Sequence, residues 1–171
     1  MTRDGACSDR INTVDEYGGW WTMAVRDVSV FILYTSTGHI LLQHRTDDAL
    51  RLPGYWAFFG GGIEQGENPT EALKREIREE LSYLVQNPTF LLAQKVRDEE
   101  NDHYNTKYVF VEQYQDQSLQ LGEGQAMGWF SPDETHGLKM IDHDRFVVEH
   151  RANTLHEWRP SVHGRPATPD R

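Results

Sequence analysis

The segment at residues 61–83 constrains the fold of this 171-residue chain more than any other. It begins within a run of glycines at residues 60–62 and continues with Asn68, Pro69 and, two positions later, Glu71. An Asn N-cap, a proline at the first helical position and a glutamate three residues after the cap are the signals of a helix start. The segment therefore predicts a glycine turn that leads into a helix beginning at Pro69.

Three glutamates of the predicted helix fall on one face. At about 100° per residue, Glu76, Glu79 and Glu80 lie within one sector, beside an apolar stripe that suits packing. Like charges on one helical face repel one another, and a hard divalent cation removes that repulsion. Ligation by carboxylate oxygens suits Mg²⁺ or Mn²⁺. The alternative is a glutamate-rich helix that is simply solvated.

The glycine and the charged residues at fixed offsets after it resemble the Nudix box, whose pattern is G-x5-E-x7-R-E-U-x-E-E-x-G-U with U an aliphatic residue. The matching residues are, in order, Gly61, Glu67, Arg75, Glu76, Ile77, Glu79 and Glu80. Two positions depart from the pattern, because Ser82 replaces the last glycine and Tyr83 replaces an aliphatic residue. Serine adopts a left-handed helix cap only at a steric cost, so we expect a locally altered helix exit with the carboxylates intact.

The resemblance to MutT-like Nudix hydrolases implies an enzyme that cleaves a nucleoside diphosphate linked to another group, by attack of water at phosphorus. It implies Mg²⁺ as the cofactor, with Mn²⁺ as a substitute, and a nucleoside triphosphate, an oxidised nucleotide or a nucleotide sugar as the substrate. Two alternatives stay open: a Nudix hydrolase of non-nucleoside diphosphates, and a catalytically silent nucleotide-binding sensor. The substrate itself is not predicted, because specificity lies in variable loops outside the box.

The resemblance also implies roles for the box residues. Glu76, Glu79 and Glu80 are the expected metal ligands, and Glu79 or Glu80 can orient the attacking water. The backbone carbonyl of Gly60 is expected to join them. Glu67 is expected to hold Arg75 or a further metal, with stabilisation of the helix dipole as its alternative. Arg75 can orient Glu79 one turn later; the alternative is a surface ion pair worth about 0.3–0.5 kcal/mol.

Four residues outside the box are further candidates. Glu123, in a Gly-Glu-Gly loop, occupies a place where the resemblance implies an extra base or metal ligand. Arg45, at the end of a predicted strand, can reach substrate phosphates, or lie exposed at the rim. Trp56 and Phe58 can stack on a base, or pack in the core. Several other residues match no zinc spacing and are interpreted as surface and helix-start residues: Asp142-His143-Asp144, His150 and His156.

The remaining pattern predicts an α/β fold. Predicted strands, the first two forming a hairpin, lie at residues 24–34, 40–45, 55–59, 90–96, 104–114 and 125–130, and a second helix runs from residue 141 to about 158. This order predicts a mixed sheet between helices, an α/β/α sandwich resembling the Nudix fold. We expect an irregular lead-in at residues 1–19, one domain at residues 20–159 and a disordered tail at residues 160–171.

Charge and composition restrict the partners. A net charge of −10 argues against sequence-independent binding of nucleic acid, whose affinity rests on neutralising phosphates. The chain shows neither a long apolar run nor an apolar secretory signal, which predicts no membrane partner and a cytoplasmic location. The single Cys7 excludes an internal disulfide. The pair Trp20-Trp21 can anchor a homodimer, or cover the core.

Overall fold

The fold is built on one seven-stranded sheet with a separate two-stranded ribbon. The structure is a computed structural model that describes residues 12–14, 20–22, 26–98 and 103–152, with side chains at 26–97 and 103–150. The strands are β1 Asn12–Val14, β2 Trp20–Thr22, β3 Val28–Tyr34, β4 Ile40–His44, β5 Trp56–Ala57, β6 Phe59–Gly62, β7 Thr89–Asp98, β8 His103–Gln113 and β9 Ala126–Phe130. The helices are α1 Pro69–Leu81 and α2 Asp142–Val147, the latter continuing as a π-helical turn at Val148–Ala152, and a 3-10 turn lies at Glu134–Gly137.

Strand β3 lies at the centre of the large sheet and is buried on both faces. The strand order is β5-β4-β3-β8-β7, with β6 also on β3 and β9 also on β4. Strands β3 and β8 are parallel, and the other pairs are antiparallel. Alternate β3 residues pack on α2 and its π-helical turn (Val30, Ile32) or on α1 (Phe31, Leu33). We call these sides the α2 face and the α1 face. The predicted α/β/α sandwich with a mixed sheet is confirmed.

Helix α1 begins where the sequence predicts it. The Asn68 side chain accepts hydrogen bonds from the N–H groups of Thr70 and Glu71, and the Glu71 carboxylate accepts from the N–H of Asn68 at 2.9 Å. This capping box satisfies helical N–H groups that have no partner within the helix. At the other end the prediction of an altered exit is wrong. Ser82 itself takes the left-handed conformation, with φ 52°, and its N–H donates to the Arg78 carbonyl at 3.0 Å.

The glycines at residues 60–62 do not form the predicted turn. They belong to β6, which pairs with β3 from Phe31↔Phe59 to Val28↔Gly62. The predicted hairpin is correct at its turn, but β3 and β4 share only the pair Tyr34↔Ile40 before they separate. Strand β4 then pairs with β5 and β9, while β6 takes its place beside β3. The edge of β6 that faces away from β3 is therefore not paired with another described strand, and the candidate site lies at this edge.

The ends of the chain differ in part from prediction. Strand β1 pairs with β2, so the predicted irregular lead-in is wrong at Asn12–Val14. The second helix is helical from Asp142 to Ala152, with Phe146 51% exposed on its outer side. The predicted tail at 160–171, the end of the second helix and the side chains of Trp20 and Trp21 lie outside the described residues. The domain limits, the homodimer and the cytoplasmic location stay predictions. No helix of the described part has the length and apolar character needed to cross a membrane.

Candidate active site

Arg75 connects the parts of the box that are distant in sequence. Its Nε and Nη2 donate to the two carboxylate oxygens of Glu67 at 2.7 and 2.8 Å. Its Nη1 donates to Glu76 Oε1 at 2.7 Å, and Nη2 also donates to the Gly62 carbonyl at 2.9 Å. The predicted partner Glu79 is farther away, with 3.7 Å between Arg75 Nη1 and Glu79 Oε2. Arg75 therefore fixes the loop carboxylate and the first helical carboxylate relative to β6.

The charges around Arg75 shift two pKa values in opposite directions. Hydrogen bonds from Arg75, and then from the backbone N–H of Glu64, lower the pKa of Glu67 to about 2. The bond to Glu67 is also the largest cause that raises the pKa of Arg75. Both groups are thus charged at neutral pH, so this pair is an ionic contact.

Glu80 has the opposite environment. The residue is only 6% exposed, its Oε2 accepts from the N–H of Gly60 at 2.7 Å, and it also bonds to the side chain of Gln43. Burial, and then the charges of Glu76 and Glu123, raise its pKa to about 8. No cationic side chain among the described residues offsets these effects. The helix therefore holds a buried carboxylate among carboxylates, without a positive charge beside it.

The glycines of β6 are required by close packing. A Cβ on Gly60, whose φ is +123°, would lie 2.2 Å from the Ser29 carbonyl oxygen. A Cβ on Gly61 would lie 2.5 Å from the carboxyl carbon of Glu76. The absence of side chains allows α1 to approach β6 so closely that Glu76 and Glu80 lie against its backbone.

The loop that carries Glu123 packs on the C-terminal end of α1. The N–H of Gly122 donates to the Glu80 carbonyl at 2.7 Å, and a Cβ on Gly122 would lie 2.3 Å from the Glu79 carbonyl oxygen. Gln43 of β4 donates to the Glu123 carbonyl at 3.2 Å. These contacts bring Glu123 close enough to Glu80 to raise its pKa. Sequence reasoning missed Gln43, although one glutamine after the apolar residues of a buried strand is a signal of a polar contact.

The donor set suits a hard cation in its chemistry. Among the described side chains, no three acidic, histidine or cysteine groups lie close enough together to hold one metal ion. Glu79 is 61% exposed, and the Glu67 carboxylate is bonded to Arg75. The carboxylates of Glu76 and Glu80 nevertheless lie on adjacent glycines of β6 and repel each other. An oxygen-binding divalent cation would neutralise this charge, so the residues fit Mg²⁺.

The candidates on the sheet have other contacts. Arg45 donates from its Nε to the Arg51 carbonyl at 3.0 Å, which closes the loop after β4. One ring face of Trp56 is covered by His44, with 4.6 Å between ring centroids. Phe58 is 4% exposed and packs in the core of the α2 face. The prediction that Phe58 offers a stacking face is wrong, and the core alternative holds.

The acidic and histidine residues of α2 correct a second prediction. Asp142 starts the helix, as expected. Asp144, interpreted as a surface residue, is only 1% exposed, pairs with the buried Lys107 and accepts from the N–H of Phe58 at 3.2 Å. Burial, followed by the charge of Lys107, lowers the pKa of His143. His150 is exposed, as predicted, while His156 lies outside the described residues.

Comparison with known sequences identifies relatives for part of the chain. The model of the NUDIX domain matches residues 23–151. The nucleoside triphosphatase NudI of Escherichia coli O139:H28 is 53% identical over 49 residues, which are 29% of this chain and 35% of NudI. NudI of Shigella flexneri has the same identity and coverage. The chain thus matches about a third of the length of these relatives.

Comparison with solved structures identifies the fold. The MutT NUDIX hydrolase of Burkholderia pseudomallei has a TM-score of 0.64 at 23% identity, covering 74% of this chain and 97% of that one. The NUDIX domain of Shewanella oneidensis NrtR, complexed with ADP ribose, has a TM-score of 0.65 at 14% identity, covering 82% of this chain and 93% of that one. Because the family model spans most of the chain and includes both the box and the Glu123 loop, the chain belongs to the NUDIX family.

Proposed function

We propose that this chain is a Mg²⁺-dependent Nudix pyrophosphohydrolase, with Mn²⁺ as a substitute, acting on a nucleoside diphosphate linked to another group. The observation that carries the proposal is Glu80, a buried carboxylate beside two acidic neighbours and without a cationic side chain. Such an arrangement is costly unless a cation enters it. A divalent ion together with substrate phosphates is a chemically suitable occupant.

Nucleoside triphosphates, oxidised ones included, are the first substrate class to test. Their support is the similarity to NudI, which is named a nucleoside triphosphatase and is 53% identical to this chain over 49 residues. Nucleotide sugars are the second class. In either case water attacks a phosphorus, one phosphorus–oxygen bond forms, and the bond to the bridging oxygen breaks.

Each residue of the site has a proposed role. Glu76, Glu79 and Glu80 would hold the cation with the Gly60 carbonyl, and a bound cation would neutralise charge on phosphate oxygens and make a water more acidic. Arg75 positions Glu76, and Glu67 holds Arg75 in place. Glu79 or Glu80 orients the attacking water, and Glu123 accepts its proton or adds a ligand. Arg45 and Trp56 remain candidates for contacts with the substrate.

The test is phosphate release from nucleoside triphosphates, nucleotide sugars and dinucleoside polyphosphates in the presence of Mg²⁺. Coupling to pyrophosphatase or to phosphatase identifies the bond that is cleaved. The Glu79→Gln variant removes a proposed ligand, and Glu64→Gln is the matched control, because Glu64 is an exposed acidic residue outside the carboxylate set.

We expect turnover of one substrate class that collapses in Glu79→Gln and persists in Glu64→Gln. Equal activity in the two variants would contradict the assignment of Glu79. Tight nucleotide binding without turnover of any substrate would favour the sensor alternative over a hydrolase.

A further inference from the structure

Asn105 of β8 carries the one buried side-chain polar atom that has no hydrogen-bond partner among the side chains that the structure describes. The atom is its amide oxygen, Oδ1. Other buried polar side chains are satisfied: Glu112 accepts from Tyr83 and two backbone N–H groups, and Lys107 pairs with Asp144. A buried acceptor without a donor lowers stability, so its retention calls for an explanation.

Asn105 lies on the α2 face of the sheet. Side chains alternate along β8, and Lys107, Val109 and Val111 of the same parity all lie on that face. Val96 of β7 is its cross-strand neighbour. Asn105 is partly exposed as a residue, while its amide oxygen is buried. Rotation about χ2, a broad torsion, can exchange the positions of the amide oxygen and nitrogen without moving the backbone.

The same face leads from Asn105 to the glycines of the box. The strand registers pair Val28 of β3 with Lys107 of β8 on one side and with Gly62 of β6 on the other, so these residues form a line across the sheet. Asn105 is two residues from Lys107. Two spacings between strands and two residues along β8 place the backbone of Asn105 roughly 12 Å from that of Gly62. Arg26, next to this line, packs on Gly62, where an added Cβ would lie 3.3 Å from its Cδ. This separation suits a nucleotide whose phosphates lie at the box and whose base lies over β8.

We propose that Asn105 is a specificity-determining residue whose amide oxygen accepts a hydrogen bond from an amino group of the substrate's nucleobase. The proposal rests on the proposed function, since it assumes a nucleotide with its phosphates at the box. A site built to bond an N–H group rejects an analogue that lacks it, because the buried acceptor is then left unpaired. The neighbouring Lys107 and Asp144 are committed to each other, so Asn105 is the uncommitted acceptor of this cluster.

The test is the equilibrium binding of three pairs of nucleoside monophosphates, measured by calorimetry on the full chain. Each pair differs by one amino group: adenosine against purine riboside, guanosine against inosine, and cytidine against its 4-deamino analogue. We expect one amino member to bind about tenfold or more tightly than its partner. Asn105→Leu should reduce that ratio to near 1, while Asn105→Asp, which keeps an acceptor, should retain the preference.

Two further readouts separate recognition from a structural role. Thr106→Val, which changes the opposite face of the same strand, should keep the wild-type ratio. Asn105→Leu should leave Tm unchanged or raise it, because it removes an unpaired buried acceptor. A fall in Tm of several degrees would show that Oδ1 has a structural partner and would overturn the proposal.

The remaining outcomes are also decisive. Ratios near 1 for all three pairs in the wild type, no binding of any of the six nucleotides, or a preference that survives in Asn105→Leu would each overturn the role of Asn105. Hydrolysis is assayed separately. If triphosphates are hydrolysed but all three binding ratios are near 1, only the role of Asn105 is refuted. If a binding preference depends on Asn105 but no substrate is hydrolysed, only the proposed hydrolase activity is refuted.

Discussion

At the scale of single residues, Arg75 and Glu80 stand in opposite electrostatic environments. Arg75 is surrounded by acceptors from Glu67, Glu76 and Gly62, and its charge is stabilised. Glu80 is buried next to other carboxylates, and its charge is opposed. The two residues are five positions apart, so this contrast arises from the side of α1 on which each lies and from what packs there.

The raised pKa of Glu80 predicts a pH-dependent stability of the metal-free protein. A carboxyl whose folded pKa is about 8, against an ordinary 4.5, binds its proton more tightly in the folded state. The contribution of this carboxyl to the free energy of unfolding is then fully present below pH 4.5. It is lost as the pH rises through about 8, by up to about 5 kcal/mol. Glu80→Gln removes this loss, so in EDTA it should be more stable than the wild type at about pH 8.5 and similar at about pH 5.

The measurement is urea denaturation at both pH values. Glu79→Gln is the control, since Glu79 is exposed and should show no such divergence. Saturating Mg²⁺ should raise the stability of the wild type at the higher pH more than that of Glu80→Gln. A pH-independent difference between wild type and Glu80→Gln would contradict the buried, uncompensated carboxylate.

Replacement of Arg75 tests its positioning role. Lysine keeps the positive charge but lacks the planar guanidinium group, whose nitrogens donate hydrogen bonds to Glu67, Glu76 and the Gly62 carbonyl at the same time. We expect Arg75→Lys to lower kcat/KM by about 10–100-fold, with a higher Mg²⁺ requirement. Arg78→Lys, an exposed change one turn away, should stay within a few-fold of the wild type. Equal effects of the two changes on kcat/KM would show that the hydrogen bonds of the Arg75 guanidinium do not contribute to catalysis.

At the scale of elements, the contact between α1 and β6 depends on glycine. The two elements approach so closely that a methyl group on Gly61 would overlap the Glu76 carboxylate, and one on Gly60 would overlap the backbone of β3. The first conflict involves a movable side chain, and the second involves backbone. The glycines therefore have different roles within one strand.

Gly61→Ala should preserve the fold and displace Glu76. Because a misplacement of about 1 Å can reduce catalysis by about 100-fold, we expect a loss of at least that order in kcat/KM. Gly60→Ala should instead abolish folding, which circular dichroism would show. Gly137→Ala, where an added Cβ meets nothing within 4 Å, is the neutral control. Full activity in Gly61→Ala would contradict the close contact with Glu76.

The exit of α1 offers a test of backbone strain. Ser82 holds a left-handed conformation that glycine adopts without steric cost. Ser82→Gly should raise the free energy of unfolding by about 0.5–1 kcal/mol in chemical denaturation. Ser82→Ala keeps the strain and should give no gain. A loss of stability in Ser82→Gly would indicate that the serine hydroxyl contributes more than the backbone strain costs.

At the scale of the whole molecule, a buried ion pair joins α2 to the sheet. Lys107 of β8 and Asp144 of α2 are both almost fully buried, and Asp144 also accepts from the N–H of Phe58. Burial of two charges is costly, and their attraction offsets that cost only while both partners remain. The pair therefore fixes how the second helix lies on the α2 face.

Removal of one partner should be more harmful than removal of both. Lys107→Met leaves Asp144 buried without a cation and should cost about 3–5 kcal/mol of unfolding free energy. Adding Asp144→Asn removes the stranded charge and keeps an acceptor for the Phe58 N–H, so the double variant should recover most of the loss. Chemical denaturation of the four proteins in this cycle measures the coupling, and additive losses would contradict it.

The sequence by itself determined α1 and the family, because these rest on short-range signals. The Asn68 cap, the spacing of the glutamates and the apolar stripe all act within a few residues along the chain. The strands of the large sheet other than β6 also followed from composition, because buried strands need β-branched and aromatic residues. The left-handed Ser82 shows the limit of such rules, since the helix ends in a conformation that the residue itself disfavours.

Only the tertiary structure decided which distant residues meet. It placed the glycines of the box in a strand beside β3, brought Gln43 and Glu123 to Glu80, gave Arg75 its partners, and buried Asp144 against Lys107. These contacts join residues far apart in sequence. Their geometry depends on sheet pairing and on the closeness of helix to strand, and no local pattern of residues encodes either one.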